Sequence, residues 1–482
     1  MQKLWFFVQP AMQTMGLLRE VIRKVDGLLG GEILNTLYSM MESHGVDHRS
    51  SETLSFLFSR AIKPYLCILR TWVFEGQLGD RYNEFMIADE KIAKETVHED
   101  IQGHKAYWER RYTLRHNMVT SFLQRYQEKI LTTGKYLNVV RECDSTLKCF
   151  NMHNGNDYDF HFDSFLLNTG SSVNSYVSWM NSRVSQEAKD FQCSNNPLSE
   201  AVFGDLVDRA YMIAGSTLQH LLMHAYQLIE RLRSIKHYFL LDQGDLYVNY
   251  MDIAEEELGK EITSNAKPSM EARVEALLSL AVQSSVSNLD QFKDDLAVEF
   301  AKLSIFQHLE NIHGGNVMRA SKHHGSGASS LKGIEAFMLN YKVPWPISLV
   351  ISRRSLDKYQ LIFRQLFFVR HVEGALKATW KEHQNMKEFD IRAVAGRIYC
   401  LRHRMLCFTQ NVVYYMTNEV IEPRWHEMES NLRVSKTMDE VLLRHSEMLD
   451  TVLKECLLTE KALLETLHTI MTTCLFVANK VG

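Results

Sequence analysis

The segment TTGKY at residues 132–136 contains a Gly-Lys pair of the kind that ends a phosphate-binding loop. Such a loop needs a second glycine five residues before Gly134, because the backbone N–H groups of a glycine-rich turn must approach the phosphates. That position is Lys129, and Lys135 is followed by tyrosine rather than by serine or threonine. The sequence therefore predicts no phosphate site here.

Two histidine-containing segments resemble parts of metal sites. HEMES at 426–430 begins like a zinc-protease helix, but Ser430 stands where the second histidine is required. His323 and His324 form a pair in a Gly/Ser-rich segment that has no cysteine or carboxylate nearby, so we interpret them as part of a surface loop. We expect no bound metal.

Other reactive side chains also lack a catalytic arrangement. The pairs Cys143/Cys149 and Cys400/Cys407 do not have zinc-ribbon spacing, and no G-x-S-x-G segment occurs. The acidic segment at 252–258 alternates with apolar residues, which is typical of a solvated helix face. We therefore predict that the protein is not an enzyme, that it has no cofactor, and that it acts by binding or assembly.

One stretch combines paired arginines with many aromatic residues: VPWPISLVISRRSLDKYQLIFRQLFFVRHVE, at 343–373. A helix over roughly 355–376 would be apolar around most of its circumference, which predicts burial between neighbouring elements. Its apolar positions are Leu356, Tyr359, Leu361, Ile362, Phe363, Leu366, Phe367, Phe368, Val369 and Val372. Arg353 and Arg354 are either solvated or in contact with an acidic partner, because guanidinium groups bind carboxylates in a bidentate manner.

A second helix is predicted over roughly 400–421. Two apolar stripes, expected to face the core, run along it: Leu401, Met405, Phe408, Val412 and Tyr415, and beside them Leu406, Val413, Met416 and Val420. Arg404, Asn411 and Asn418 repeat every seven residues on a polar edge, which either faces water or borders a protein interface.

The segment after this helix contains Pro423, which is expected to end it. Arg424 and Trp425 follow. Their residue types are common in binding hot spots, but they are equally suited to packing and capping. Both interpretations remain open at this point.

Helical periodicity recurs along the whole chain, and only 7 prolines and 23 glycines interrupt 482 residues, so we predict an all-α fold. A long helix is expected at 208–258 with a break at 242–245, another is expected to be interrupted near Gly134, and no alternating strand is evident. The length predicts two or three domains. Polar composition predicts an irregular insert at about 151–200 and a flexible loop at about 312–333.

Charge and cysteine content limit the partners and the compartment. A net charge of −4 gives no reason to expect nucleic acid or an anionic membrane. No apolar run reaches the roughly 18 residues of a membrane span, and the apolar start of the chain stops at Gln9-Pro10, unlike a signal peptide. Eight scattered cysteines are typical of reduced thiols in a cytosolic protein.

The segment beginning at Trp345 resembles the second grip motif of the gamma-tubulin complex proteins. Four further stretches resemble that family in the same order: KLWFFVQPAMQTM at 3–15, LTTGKYLNVVREC at 131–143, LRSIKHYFLLDQGDLYVNYMDIAEEEL at 232–258 and RMLCFTQNVVYYMTNEVIEPRWHEME at 404–429. The likeness covers most of the chain outside the insert and the loop. Because the chain starts at the first match, we expect its first domain to be partial.

The resemblance implies two elongated helical-bundle domains joined end to end. It implies that residues 1–207, with the first grip motif, associate laterally with other complex proteins, especially the third component, and that residues 208–482 bind gamma-tubulin. It further implies a role in microtubule nucleation, in the cytoplasm and cytoskeleton, at centrosomes or other microtubule organising centres and at spindle poles. The residues we expect to contact gamma-tubulin are Trp345, Arg353, Arg354, Arg404, Asn411, Asn418 and Arg424. The alternative is a helical adaptor or tethering scaffold that does not bind tubulin.

Overall fold

The computed structural model describes residues 2–90, 111–154, 200–260, 267–301, Ile305, 333–385 and 392–481. Within these residues α-helices dominate, which confirms the all-α prediction. The predicted insert and the predicted loop lie outside the described residues except at their ends. There, residues 151–154 finish one helix, and residues 200 and 333 each begin another.

The chain folds as two compact units. The first comprises Met1–Leu221 together with Lys436–Met438, and the second comprises Leu222–Ser435 and Asp439–Gly482. The predicted division between residues 207 and 208, with its assignment of roles, stays a prediction.

Among the described residues, the first unit contains five α-helices and one small antiparallel ribbon. They are α1 Gln2–Val25, α2 Gly31–Ser43, α3 His48–Glu75, β1 Ile87–Asp89, β2 Tyr112–Leu114, α4 Gln127–Asn154 and α5 Glu200–His220. Helices α1, α2 and α3 pack through Leu17, Met40 and Leu54. Helix α4 packs on α3 and α5.

Gly134 lies inside α4 rather than at an interruption, so the predicted break near it is wrong. The indole of Trp72 on α3 lies against this glycine, and its Nε1 donates to the carbonyl of Ile130 at 2.9 Å. A Cβ at position 134 would be 2.0 Å from the Trp72 ring. Glycine is therefore required here because two elements approach closely, not because the helix turns.

In the described ranges, the second unit contains eight α-helices longer than one turn and a second antiparallel ribbon. They are α6 Leu228–Phe239, α7 Gly244–Leu258, α8 Lys267–Ser284, β3 Leu296–Phe300, β4 Phe337–Tyr341, α9 Arg353–Asn385, α10 Arg392–Tyr414, α11 Glu422–Val434, α12 Met438–Glu455 and α13 Lys461–Val481. A single helical turn, Gly333–Ala336, precedes β4. The predicted helix over 208–258 is in fact the end of α5, a π-helical segment at Leu221–Ala225, α6 and α7, with the expected break before Gly244.

Helix α9 is the centre of the second unit. All ten apolar residues predicted to be buried are buried, and every residue from Tyr359 to Val369 is buried. Helices α6, α10 and α13 and strand β4 pack around it. Phe363 and Phe367 contact the ring of Phe337 on β4 at centroid distances of 5.7 and 5.0 Å. The aromatics of this helix are therefore core residues.

The two ribbons were not predicted from the sequence. Strand β3 pairs with β4 in antiparallel register, Leu296 opposite Tyr341 and Phe300 opposite Phe337. Burial does not alternate along either strand, because β4 is buried at four of five positions and β3 at only one. The alternation of apolar and polar residues that indicates a strand is therefore not visible in these short segments.

Helices α10 and α11 are joined by a π-helical segment, Tyr415–Ile421, and Pro423 does not end the helix as predicted. Pro423 lies in the first turn of α11, directly after the π-helical segment. The buried stripe of α10 continues at heptad spacing as far as Val420, and a second buried stripe starts one residue later at Ile421. The first stripe consists of Arg402, Thr409, Val413, Met416 and Val420. The second consists of Ile421, Trp425, Met428 and Leu432. The π-helical segment thus inserts one residue between two regular stripes.

Helix α13 corrects the expectation that no segment is apolar enough for a membrane. By length and composition alone, Lys461–Lys480 would qualify as a span. Five of its residues nevertheless form a buried heptad stripe, facing the core that includes α9: Leu464, Leu467, Met471, Cys474 and Ala478. This packing explains only part of its apolar character, because other apolar residues of the helix remain exposed.

Candidate protein-binding surface

The arginine pair predicted to contact a partner occupies the first turn of α9. Ser352 caps this helix, because its Oγ accepts the N–H of Ser355 at 3.3 Å. The cap fixes both arginines to a rigid helix end that packs into the core. Their positions are therefore well defined, whichever groups they contact.

The two arginines have different surroundings. The Nε of Arg353 lies 3.0 Å from the Asp357 carboxylate, and its NH2 lies 3.9 Å from that of Glu299 on β3. Burial raises the pKa of Asp357, and the Arg353 charge opposes that rise. Arg354 is exposed and has no ion pair with any residue that the structure describes. Of the pair, Arg354 is the one available to a partner.

Trp345 lies in the connection from β4 to α9. Its side chain is half-buried, and the 3₁₀ turn Ile347–Leu349 follows it. Ile347 and Ile351 are fully buried, which anchors this connection beneath the helix start. Trp345 is thus only partly accessible.

Arg404, Asn411 and Asn418 are all exposed. The first two lie on α10 and the third in the π-helical segment. None of them has a hydrogen bond or an ion pair to another side chain within the described ranges. These three residues therefore form a solvent-facing polar edge.

The apolar stripe beside that edge is not buried, so the prediction of two core-facing stripes is wrong for one of them. Leu401, Phe408 and Tyr415 are 46%, 39% and 44% exposed. Helix α10 packs on α9 and α13 through the narrow stripe that contains Val413 and Met416, and the other stripe is only partly covered. Sequence periodicity identifies an apolar face but does not show whether a neighbouring element of the same chain covers it.

A shallow groove of about 300 Å³ separates α10 from α13 beside this exposed stripe. It is lined by Arg404, Met405 and Phe408 of α10 and by Thr469, Ile470, Thr473 and Cys474 of α13. Arg404 is the one predicted site residue that borders it. The α13 side was not predicted from the sequence, although the absence of Asp, Glu, Lys and Arg from Thr466 to Asn479 was a usable signal.

Arg424 is half-exposed and paired with carboxylates of its own unit. Its Nε and NH2 donate to the two oxygens of Glu455 at 3.2 and 2.7 Å, and NH1 donates to Glu427 at 3.3 Å. The Glu455 hydrogen bonds raise the pKa of Arg424. This bidentate pair ties α11 to the end of α12. Trp425 is buried, in agreement with the packing interpretation.

The predicted site residues fall into separate groups. Trp345, Arg353 and Arg354 share the entry to α9, and Arg404 borders the groove. Arg424 is linked to the exposed Tyr415 because both hydrogen-bond to Glu455, Tyr415 through its hydroxyl to the carbonyl oxygen at 3.3 Å. No described hydrogen bond or ion pair joins the first group to the others.

The segments that resembled chemical motifs do not form reactive sites among the described residues. TTGKY lies in the middle of α4, and His426 is an exposed residue of α11. The described residues contain no group of three His, Cys, Asp or Glu side chains placed to hold a metal. His323 and His324 lie outside the described residues.

Two family descriptions match this sequence. The one for the gamma tubulin complex component N-terminal region matches residues 1–224, and the one for the C-terminal region matches residues 228–481. The junction between the two matched regions lies close to the division between the structural units at Leu221 and Leu222.

Individual proteins are similar over nearly the whole chain. The mouse protein named gamma-tubulin complex component 2 is 35% identical over 99% of this chain, and its Arabidopsis thaliana namesake is 34% identical over 98%. Spindle pole body component alp4 of Schizosaccharomyces pombe is 30% identical over 93%. The chain spans 49%, 63% and 59% of the lengths of these relatives, respectively.

Proposed function

This chain belongs to the gamma-tubulin complex component family, and from that premise we propose that it is a gamma-tubulin-binding subunit of the gamma-tubulin complex. It supports microtubule nucleation by holding gamma-tubulin in position rather than by catalysing a reaction. The names of the relatives support this role, because they refer to the gamma-tubulin complex and to the spindle pole body. We accordingly propose that the protein acts in the cytoplasm, at the centrosome or an equivalent organising centre and at spindle poles.

The observation that carries the proposal most directly is the charge of α10. From Arg392 to Asn418 the chain contains four arginines and no aspartate or glutamate. Arg404 on this helix and Arg354 on α9 are exposed and have no ion pair within the described part of the chain. An accessible guanidinium is well suited to binding the carboxylates of an acidic protein. We propose that Arg354, Arg404, Asn411 and Asn418 contribute to this contact, with Arg353, Arg424 and Trp345 supporting it from within.

We assign the two units different roles, as the family resemblance implies. The second unit binds gamma-tubulin, and the first associates laterally with other components of the complex, of which the third component is the expected neighbour. No nucleic acid or membrane partner is proposed. The rival function, a helical adaptor that does not bind tubulin, would require none of these accessible arginines.

Binding of purified gamma-tubulin to the full chain tests the proposal. The double variant Arg354→Glu/Arg404→Glu is expected to bind at least about tenfold more weakly, because like-charge contacts at an interface are costly. Arg444→Glu is the control for each single substitution, Arg354→Glu and Arg404→Glu: it makes the same charge change as either one, on α12, at a half-exposed residue paired with the half-exposed Glu447. Absence of binding by the unmodified chain would favour the adaptor function.

A further inference from the structure

The outward face of α13 is unusually poor in charge. No Asp, Glu, Lys or Arg occurs in the fourteen residues from Thr466 to Asn479. The buried stripe accounts for only part of this segment, since Ile470 and Phe476 remain 39% and 62% exposed. Leu463, about one turn before Thr466, is 45% exposed. Threonines 466, 469 and 473 are exposed between them. A contiguous exposed face of this kind is typical of an interaction site.

This face continues across the groove onto α10. Phe408 and Met405 form the opposite wall from Ile470, and the exposed Leu401 lies two turns from Phe408 on the same stripe. Apolar surface from two helices therefore meets along one channel, which can accept a protruding apolar side chain.

The charge around the groove has one sign on the α10 side. Arg404 lies at the groove and Arg397 is exposed earlier on the helix. Arg402 is not part of this surface, since it is buried, donates to the carbonyl of Leu376 at 3.1 Å and lies over the Trp380 ring at 4.6 Å. No carboxylate lies between Arg392 and Asn418 to neutralise them, so Arg397 and Arg404 favour anionic groups on the occupant.

The groove also restricts the backbone of its occupant. Both walls are α-helices, whose N–H and C=O groups are already paired within each helix. An extended segment would find no backbone partner there, whereas a helix satisfies its own backbone groups and presents apolar side chains every three or four residues. An occupant that is helical, apolar on one face and acidic beside it fits each of these conditions.

We propose that the α10–α13 groove is the docking site for an acidic amphipathic helix of gamma-tubulin. This assignment rests on the proposed function and specifies its recognition chemistry. Apolar side chains of that helix insert between Phe408 and Ile470, and its carboxylates pair with Arg404 and Arg397. The groove of a second copy of this chain would be a poor occupant. Such a dimer would bring Arg397 and Arg404 of two α10 helices together, and neither α10 helix would supply a carboxylate.

A charge-sign experiment at Ile470 tests this assignment in the full chain. Ile470→Glu and Ile470→Lys place side chains of similar length at the same half-exposed position, so both lose the same apolar contact. For an acidic occupant, Ile470→Glu is expected to weaken gamma-tubulin binding at least about tenfold more than Ile470→Lys does. Leu443→Glu on α12 is the control, because it introduces a carboxylate at a 55% exposed leucine that does not line the groove.

Each outcome supports or overturns the assignment. Equal weakening by both charges would show apolar docking without recognition of acidic groups, and would overturn it. Normal binding by both Ile470 variants, with weaker binding by Arg354→Glu, would show that the groove is not the docking site. The proposed function would still be supported. Failure of the unmodified chain to bind would end the proposed function itself. A dimer of the unmodified chain that Ile470→Glu dissociates in sedimentation would assign the groove to a second copy. Melting temperatures within about 2 °C of the unmodified chain establish that the variants are folded.

Discussion

Two adjacent arginines at the start of α9 carry the same charge in very different electrostatic environments. Arg353 contacts the carboxylates of Asp357 and Glu299, whereas Arg354 is exposed without an ion pair in the described part of the chain. The first contributes to folding and the second is available for binding. A substitution that changes both together would mix these two effects.

Separate substitutions should distinguish the two arginines. Arg353→Glu places a third carboxylate beside Asp357 and Glu299, so we expect the free energy of unfolding to fall by about 1 kcal/mol or more. Arg354→Glu should leave it within about 0.5 kcal/mol, as is usual for an exposed position. Urea titration monitored by circular dichroism measures both values.

Arg353→Gln serves as the control, since it removes the positive charge without adding a negative one and should cost less than Arg353→Glu. Equal losses for the variants at positions 353 and 354 would contradict the assignment of different surroundings.

A buried histidine should make folding sensitive to mild acid. His445 on α12 is 1% exposed, and its Nε2 lies 3.0 Å from the hydroxyl of the buried Tyr359. Burial, together with the nearby charge of Lys358, lowers the pKa of His445 to about 4. In the unfolded chain its pKa is near the ordinary value of about 6.5. The unfolded chain therefore binds the proton first as the pH falls.

The histidine's neutral state stabilises the fold above about pH 6.5, and this contribution is lost as the pH falls toward about 4. Between pH 7 and pH 5 we expect a loss of about 2 kcal/mol that is specific to His445. Unfolding free energies of the unmodified chain and of His445→Gln, measured at both pH values, isolate this loss. A variant with the same pH dependence as the unmodified chain would show that His445 is not the responsible group.

Residue identities alone predict burial better than they predict pairing. The ten apolar residues of α9 could be assigned to the core because their number exceeds what one exposed face can hold. The remote partners of Arg353 and Arg424 could not be assigned, because Glu299 and Glu455 come into contact with them only through the packing of β3 and α12.

Helix packing explains why the same glycine substitution should have opposite effects in two helices. Gly134 of α4 lies against Trp72, and an added Cβ would be 2.0 Å from that ring. Gly16 of α1 has no atom within 4 Å of such a Cβ. Space around the helix, rather than helix propensity, decides the result at position 134.

We expect Gly134→Ala to destabilise the chain by about 1–3 kcal/mol, since overpacking outweighs the gain of alanine in a helix. Gly16→Ala should stabilise by up to about 1 kcal/mol. Thermal unfolding of the two variants, followed by circular dichroism, provides the comparison. A stabilising Gly134→Ala substitution would mean that Trp72 moves aside at little cost.

At the scale of elements, the sequence is informative about helices and uninformative about what covers them. Both α10 and α13 have an apolar face wider than the stripe they bury. Periodicity predicts both helices, but the exposure of Leu401, Phe408 and Ile470 depends on which neighbours this chain supplies.

For the whole molecule, the two-unit fold predicts a division of binding activity. The second unit contains α9, α10 and α13, so a fragment of residues 222–482 is expected to retain gamma-tubulin binding, whereas residues 1–221 should not bind. Pull-down of purified gamma-tubulin by each fragment, after circular dichroism has shown that both are helical, is the measurement. The reverse result would overturn the assignment of roles to the units.

The overall architecture was accessible from the sequence because few residues interrupt a pervasive helical period, and because the family likeness involves long ordered stretches rather than a single motif. The small ribbons and the π-helical segments were not, since each involves only three to seven residues and depends on surrounding packing.

The π-helical segment between α10 and α11 has a consequence for how this region can change in length during evolution. A one-residue deletion in an α-helix rotates everything beyond it by about 100° and would normally turn a buried stripe toward solvent. Deletion of the exposed Asn418 instead removes the extra residue, so that Met416, Trp425 and Met428 fall on one continuous stripe. We therefore expect one-residue deletions in homologous chains to concentrate at 415–421, and the helix of such chains to be a regular α-helix there. Deletions should be rare in the α-helices on either side of this segment.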